Sequence, residues 1–420
     1  MNGMVEALQA FLALGPTVIL PVAIFLIGIA FGQKVGKAFR SGITIGVAFV
    51  GIFLVVDLLV SNLGPAANGM VERFGIELNV IDVGWPGAAS MSWASPIAAF
   101  IIPLGLLVNV IMLVTKTTKT MNVDIWNFWH FTFTGALVYT VSGSIIQGLA
   151  AAVIFQIICL KIADWTAPML RDYFDLEGIA VATGSTVSYA PLGIPLVKLI
   201  QKVPVIKNWN ADPETIQKRF GVFGESIFMG LILGIGLGLL AGYSFGEVIQ
   251  VGMAMAGVMV LMPRMVKILM EGLTPVSESA RSFLSKKFGQ QDIYIGLDAA
   301  VAIGHPSVIS TALILVPITV ALAVVLPGNN VLPFGDLATI PFIVAFIVGA
   351  ARGNIIHSVI VGTILIALTL YLATDLAQVH TQLAIDGKFN MPEGTSLVSS
   401  LDQGGNFINY VVYKIFAIFN

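Results

Sequence analysis

The chain has 420 residues, 57% of them hydrophobic and only 10% charged, with a formal net charge of −2. Soluble globular domains carry about 25% charged residues, so this composition, with a mean hydropathy of +0.93, makes lipid the solvent. The near-neutral balance excludes a basic field for nucleic acid, and the single cysteine, Cys159 in an apolar run, excludes an internal disulfide and a cysteine-rich metal site.

A helix crosses a bilayer in roughly 20 apolar residues. On that measure the first half predicts spans at 15–32, 42–62, 96–115, 126–142 and 145–163. The second half predicts spans at 221–242, 245–263, 306–327, 338–351 and 353–373. The first span lacks a basic N-terminal region, so it does not read as a cleavable signal. An eleventh begins near Phe407 with about a dozen apolar residues before Asn420, too few to cross. It reads as an interfacial helix or a truncated last span.

Lys and Arg set the orientation. With the N-terminus outside, Lys34, Lys37, Arg40, Lys116 and Lys119 lie inside. So do Lys198, Lys202, Lys207, Lys218, Arg219, Arg264, Lys267 and Arg352, while only Arg73 and Lys388 fall clearly outside. The two halves echo each other at a constant offset. Gly36 and Gly42 answer to Gly246 and Gly252, Leu63-Gly64-Pro65 to Leu273-Thr274-Pro275, Asp82 to Asp292, and Pro96 to Pro306. An odd number of spans per repeat turns the second repeat upside down, the arrangement of many transporters. The fold expected is therefore an all-α integral membrane protein of two inverted five-helix repeats. The first repeat takes 1–163, an amphipathic helix with a polar segment and inner loop 164–219, the second repeat 220–374, and an outer loop with the start of the last helix 375–420.

Two stretches break the helical pattern at matching places. One runs from Gly84-Trp85-Pro86-Gly87 to Ser95-Pro96, the other from Gly296-Leu297-Asp298 to Gly304-His305-Pro306. Both are too short to cross and return, so they read as re-entrant hairpins. Such backbone survives at membrane depth only inside protein or beside a water-filled cavity. A third irregular stretch, Gly178 to Pro191, contains Thr183, Gly184, Ser185, Thr186 and Ser188, and reads equally as a half-inserted loop or a linker.

Polar residues inside spans are functional candidates. Asp57 lies late in the second span and Asn109 mid-span in the third, where interhelical hydrogen bonding competes with ligand contact. Trp126, Trp129 and His130 open the fourth. Asp298 and His305 share the second hairpin, and a carboxylate there needs a partner. A polyhydroxylated solute would supply hydroxyl donors. Trp85, Ser92 and Trp93 sit in the first hairpin, where the indoles are suited to stack on a sugar-like chain. There is no Walker A loop, HExxH or GxSxG elbow, the four histidines are scattered singly, and no nucleophile–base pair stands out for an intramembrane enzyme. No cofactor or metal is expected.

Several long strings carry a family resemblance: Asp82-Val-Gly-Trp-Pro-Gly87, Asn122-Val-Asp-Ile-Trp-Asn127, His130-Phe-Thr-Phe-Thr-Gly-Ala-Leu137, Leu176-Glu-Gly-Ile-Ala180 and Pro327-Gly-Asn-Asn-Val-Leu-Pro-Phe-Gly-Asp336. Together they resemble the galactitol-type IIC component of the bacterial phosphotransferase system, of the ascorbate-galactitol group, from about Leu14 to Asn406. The family extends past Asn420 by a further span.

That resemblance implies uptake of galactitol or a similar hexitol across the bacterial inner membrane. The solute is phosphorylated by a phosphocysteine on a separate IIB subunit, charged by IIA, and this chain carries no phosphorylated residue. It further implies a lipid-embedded homodimer with a V-shaped scaffold of spans one, two, six and seven, and a core of the remaining spans and hairpins moving as an elevator. The ascorbate-type pattern lays its substrate aspartate on Asp298, its fourth-span histidine on His130, a serine-bearing region near Asp57, and a histidine-glutamine pair near Gly184 and Ser185. The competing expectation is an ion-coupled transporter of a polyol or sugar acid, with Asp57 and Asp298 binding the cation.

Overall fold

The computed structural model describes residues 16–75, 78–124, 127–213, 226–288, 293–333, 335–389, 391 and 396–418. Trp126, Asp292 and the segment 214–225 with Lys218 and Arg219 lie outside the described residues.

The longest apolar runs form helices because a backbone in lipid must satisfy its own N–H and C=O groups. Helices α1 (Pro16–Ala30) and α2 (Val35–Phe74) open the first half. Helices α9 (Ser226–Ala241) and α10 (Phe245–Phe288) open the second. These four pack on one another, α10 lying against α1, α2 and α9. At 40 and 44 residues, α2 and α10 run well beyond the spans expected at 42–62 and 245–263. Pro65 lies inside α2 without ending it.

The remaining helices form around two small sheets. Strand β1 (Val80–Asp82) leads into α3 (Gly84–Ala94) and α4 (Ala98–Val114), and β2 (Thr120–Asn122) into α5 (Phe128–Ser142) and α6 (Ile145–Phe174). Strand β3 (Ile179–Val181) precedes α7 (Gly184–Val187) and α8 (Ala190–Ile200). In the second half β4 (Tyr294–Leu297) leads into α11 (Ala300–Ile303) and α12 (Pro306–Val325), and β5 (Val331–Leu332) precedes α13 (Ile340–Ala350), α14 (Ile355–Asp375) and α15 (Ala377–Asp386). Strand β6 (Leu397–Ser399) precedes α16 (Phe407–Ala417).

The strands correct the all-α expectation: the chain is mostly helical, but among the described residues six short strands pair in two parallel sheets, β5-β1-β6 and β2-β4-β3. Val80 pairs with Val331 and Asp82 with Ser399, while Asn122 pairs with Gly296 and Val181 with Leu297. Each central strand comes from one half of the chain and both its neighbours from the other. The reason is local satisfaction. Where a helix breaks in an apolar surround, its amides and carbonyls need other partners, and a ladder of two to four residues supplies them.

The breaks fall where Gly and Pro stand. Helices α3 and α4 meet at 95° across Ser95, whose extended backbone (ψ 143°) precedes Pro96. His305 is likewise extended, and Pro306 takes the first turn of α12. The surface helix expected at 164–174 is instead the unbroken continuation of α6, 30 residues long. Its apparent break is a charge, Asp164, and the fold satisfies that charge. Asp164 accepts from the Thr118 and Thr120 hydroxyls at 2.9 and 2.8 Å and from the Lys119 N–H at 3.0 Å.

By length and apolarity, four described helical segments are able to cross a membrane: Val35–Ile52, Ile145–Phe174, Pro306–Val325 and Ile355–Asp375. The bent pair α3–α4 makes a fifth if taken as one span. Other predicted spans correspond to shorter apolar helices, such as Ile340–Ala350. The segment 375–420, read from sequence as a loop and the start of a helix, holds α15, β6 and the buried turn Leu401–Asn406 ahead of α16.

Candidate functional site

Two buried carboxylates tie the start of α3 to the turn before α16. Asp82, at the end of β1, accepts from the N–H groups of Gly84 (3.0 Å) and Leu401 (3.3 Å) on Oδ1, and from Asp336 (2.9 Å) on Oδ2. Asp336 accepts from the Trp85 N–H (2.6 Å) on Oδ1, and from the Ser400 hydroxyl (2.6 Å) and the Asp402 N–H (2.9 Å) on Oδ2. The chains approach so closely that a Cβ on Gly84 would stand 2.7 Å from the Gly335 carbonyl oxygen, and Gly84 adopts a left-handed φ of +71°. This clamp holds Asp402 and Gln403 against the start of α5.

There a second network forms. His130, in the first turn of α5 and 2% exposed, receives the Gln403 side-chain Nε2 on its Nδ1 at 2.9 Å. Gln403 Nε2 also donates to Asp402 Oδ2 at 3.0 Å, and Ser185, in α7, donates its hydroxyl to the same oxygen at 2.9 Å. Asn409 in α16 donates Nδ2 to Gln403 Oε1 (2.8 Å) and to the Gln403 carbonyl (3.3 Å), while its Oδ1 meets the Thr134 hydroxyl. Asn406 caps α16 through Oδ1 and donates Nδ2 to the Gly184 carbonyl at 3.1 Å. Trp129 stacks beside His130 at 4.0 Å between ring centroids.

Asp298 lies just past β4, one residue from α11. Its Oδ1 accepts from the Ala300 N–H (2.8 Å) and its Oδ2 from the Thr183 hydroxyl (3.2 Å). Thr183 in turn accepts from the Ala299 N–H at 2.8 Å. Because Thr183 adjoins Gly184 and Ser185, the turn between β4 and α11 and the histidine network meet at the start of α7. His305 sits at the far end of α11, where its Nδ1 accepts from the Ser307 N–H (3.2 Å) and meets the Tyr173 hydroxyl at 3.4 Å.

The structure therefore brings together His130, Ser185 and, through Thr183, Asp298. Trp85 and Trp93 pack in one apolar cluster with Trp129, so α3 borders the same region. Ser92 is fully buried but donates to the Ala88 carbonyl of its own helix at 2.7 Å. Asn109 is committed to β2: it donates to the Thr120 carbonyl and accepts from the Asn122 N–H, both at 2.9 Å. Asp57 is exposed on α2, and His305 lies with Tyr173 and Phe174 rather than beside His130. Among the described residues no three metal-ligating side chains gather to hold an ion.

Asp402, Gln403 and Asn409 were not anticipated from sequence. A signal for them exists: Leu397-Val-Ser-Ser-Leu-Asp-Gln403 is a short apolar strand followed by small and polar residues and an apolar helix, the same order as Ile179-Ala-Val-Ala-Thr-Gly-Ser185. Buried polar atoms without a protein partner recur here: Asp402 Oδ1, both side-chain polar atoms of Asn127, the Thr186 and Ser188 hydroxyls and Trp93 Nε1. Buried polar groups are normally paired, so this region is suited to a solute with many hydroxyls.

Comparison with known proteins agrees with that chemistry. The chain is 45% identical over 412 residues to the PTS system galactitol-specific EIIC component of Escherichia coli K12, covering 98% of this chain and 91% of the relative. The same values hold for the protein of that name in Escherichia coli O157:H7. A putative permease IIC component of Escherichia coli K12 is 40% identical over 396 residues, covering 94% of this chain and 91% of the relative. Residues 10–394 match the family described as PTS system sugar-specific permease component (EIIC-GAT), and the chain belongs to that family.

Proposed function

We propose that this permease takes galactitol, or a similar hexitol, across the inner membrane and presents it inside for phosphorylation by the phosphocysteine of a IIB subunit charged by IIA. The observation that carries the reading is the buried network of His130, Ser185, Asp402, Gln403 and Asn409 beside Asp298, found in a chain 45% identical to a relative named for galactitol. Phosphoryl transfer moves a phosphoryl group from the donor's sulfur to a solute hydroxyl oxygen. This chain contributes binding and orientation. Its lone thiol, Cys159, is fully buried in α6 and takes no part.

The same reading takes the halves as inverted repeats, with the N-terminus outside. Strand exchange between the halves supports it, since each central strand is flanked by two strands of the other half. The mutual packing of α1, α2, α9 and α10 supports a scaffold for a homodimer, with the remaining helices moving as an elevator core. His130, Ser185 and Asp298 contact the solute, with Trp85 and Trp93 bordering it. Ser92 and Asn109 serve the backbone around that group, and His305 and Asp57 lie apart from it.

In vesicles carrying the chain with IIB and IIA, labelled galactitol accumulates as its phosphate. Accumulation of unmodified galactitol without those subunits, driven by a proton or sodium gradient, overturns the reading in favour of ion coupling.

A further inference from the structure

We infer that Asp402 and His130 form a matched acceptor and donor for neighbouring hydroxyls of one solute, with Gln403 as the positioning residue that fixes the histidine tautomer. This deepens the hydroxyl-binding reading above and rests on it for the solute, though not for the tautomer.

The tautomer follows from a chain of hydrogen bonds anchored on groups with only one possible role. The Gln403 backbone carbonyl can only accept, and the side-chain atom of Asn409 beside it at 3.3 Å is therefore the amide nitrogen. That same nitrogen lies 2.8 Å from the end of the Gln403 side chain, so the atom there is the acceptor Oε1. Gln403 Nε2 then points the other way. It has two hydrogens and two close acceptors, Asp402 Oδ2 at 3.0 Å and His130 Nδ1 at 2.9 Å. The Asp402 carboxylate independently demands a donor there, which agrees with the orientation set by Asn409. His130 Nδ1 is thus an acceptor and carries no proton. In a neutral imidazole the proton is then on Nε2, which donates.

Asp402 supplies the complementary role. Its Oδ2 is used twice, by Gln403 and by the Ser185 hydroxyl at 2.9 Å, and its backbone is held by Asp336. Its Oδ1 is buried and has no partner among the described residues, in a residue 1% exposed. A buried carboxylate oxygen left this way is poised to accept from a hydroxyl. The hydroxyl on one polyol carbon can donate to Asp402 while the hydroxyl oxygen on the next carbon accepts from His130, which distinguishes a polyol from a solute that only donates or only accepts.

The tautomer is read by 15N NMR of histidine-labelled full-length protein in lipid, with no solute. The chain has 4 histidines, and His130→Asn assigns the signal. Native His130 is protonated on Nε2. Gln403→Met removes the donor, and the signal moves to a mixture of both tautomers. Should that variant fail to fold, the native signal decides alone, by whether Nε2 or Nδ1 carries the proton. A native signal protonated on Nδ1, or a tautomer unmoved by the folded variant, overturns the inference whatever the solute.

The acceptor arm uses galactitol and calorimetry. Asp402→Asn keeps an oxygen facing Ser185 and Gln403 but turns an NH2 toward the hydroxyl position, and affinity falls roughly 10- to 100-fold. Affinity within twofold of native, in a variant with the native melting temperature, overturns the acceptor role. Failure of the native chain to bind galactitol strikes the proposed function instead and leaves the tautomer result standing.

Discussion

Asp336 receives the backbone N–H of Asp402 at 2.9 Å, so a residue of the second half's fifth-strand turn fixes the C-terminal turn that carries the histidine's partners. The other Asp336 oxygen holds the Trp85 N–H in the first turn of α3. One carboxylate therefore joins three segments distant in sequence. Asparagine cannot replace it. Both oxygens face donors, so an NH2 in either position meets an N–H or O–H group. We expect Asp336→Asn to cost about 2–3 kcal/mol, the range for losing a hydrogen bond to a charged acceptor. Thermal melting in detergent reads it. A native melting temperature would mean that the clamp adds no stability.

Asp298 makes a different prediction, because its surroundings tolerate an amide. In Asp298→Asn the remaining side-chain oxygen can keep the Ala300 N–H, and the new NH2 can donate to the Thr183 hydroxyl, which accepts as readily as it donates. The substitution should leave melting and the oligomeric state near native while weakening galactitol binding by roughly tenfold or more, by loss of a charged acceptor. Calorimetry and size-exclusion chromatography check the two halves of this statement. Unchanged affinity would make Asp298 a hairpin-capping residue, with Thr183→Val then the more damaging change.

The helices are legible in the sequence because an apolar run is a local property, and the breaks at Ser95-Pro96 and Gly304-His305-Pro306 are legible because Gly and Pro act on their own backbone. The strands are not. β5 has two residues, and its partner β1 lies in the other half of the chain, so no local pattern announces the pairing. Asp402, Gln403 and Asn409 escape for a related reason. They lie more than 270 residues from His130 in sequence, and only folding brings them together. Asp164 shows the converse error. A charge in an apolar run suggested the end of a span, yet three donors from the turn before β2 and from β2 let the helix continue.

Asn109 and Asp57 separate structure from binding. Both side-chain atoms of Asn109 serve the β2 backbone, so Asn109→Ala leaves a buried N–H and C=O unpaired. The expected cost is about 1–3 kcal/mol for each unsatisfied group, visible as a lower melting temperature. Galactitol affinity in the protein that remains folded should stay near native. Asp57 is exposed on α2, and Asp57→Asn should change neither quantity. A loss of transport driven by an ion gradient in Asp57→Asn would instead support cation coupling.

Gly184 is the position where binding depends on a close approach. A Cβ there would stand 2.9 Å from the His130 Cβ and 3.1 Å from Phe155 Cε1. Both neighbours are buried, His130 in the first turn of α5 and Phe155 within α6, so neither side can give without moving a helix. The smaller displacement is of α7, a single turn of four residues. Shifting α7 draws the Ser185 hydroxyl away from Asp402 and Thr183 away from Asp298. Gly184→Ala should therefore lower stability by about 1–3 kcal/mol, as for overpacking in a filled core. It should also reduce galactitol affinity more than that loss of folded protein explains. Melting and calorimetry on the same preparation separate the two. A variant that is less stable but binds normally would show that α7 spaces the helices without positioning Ser185 and Thr183.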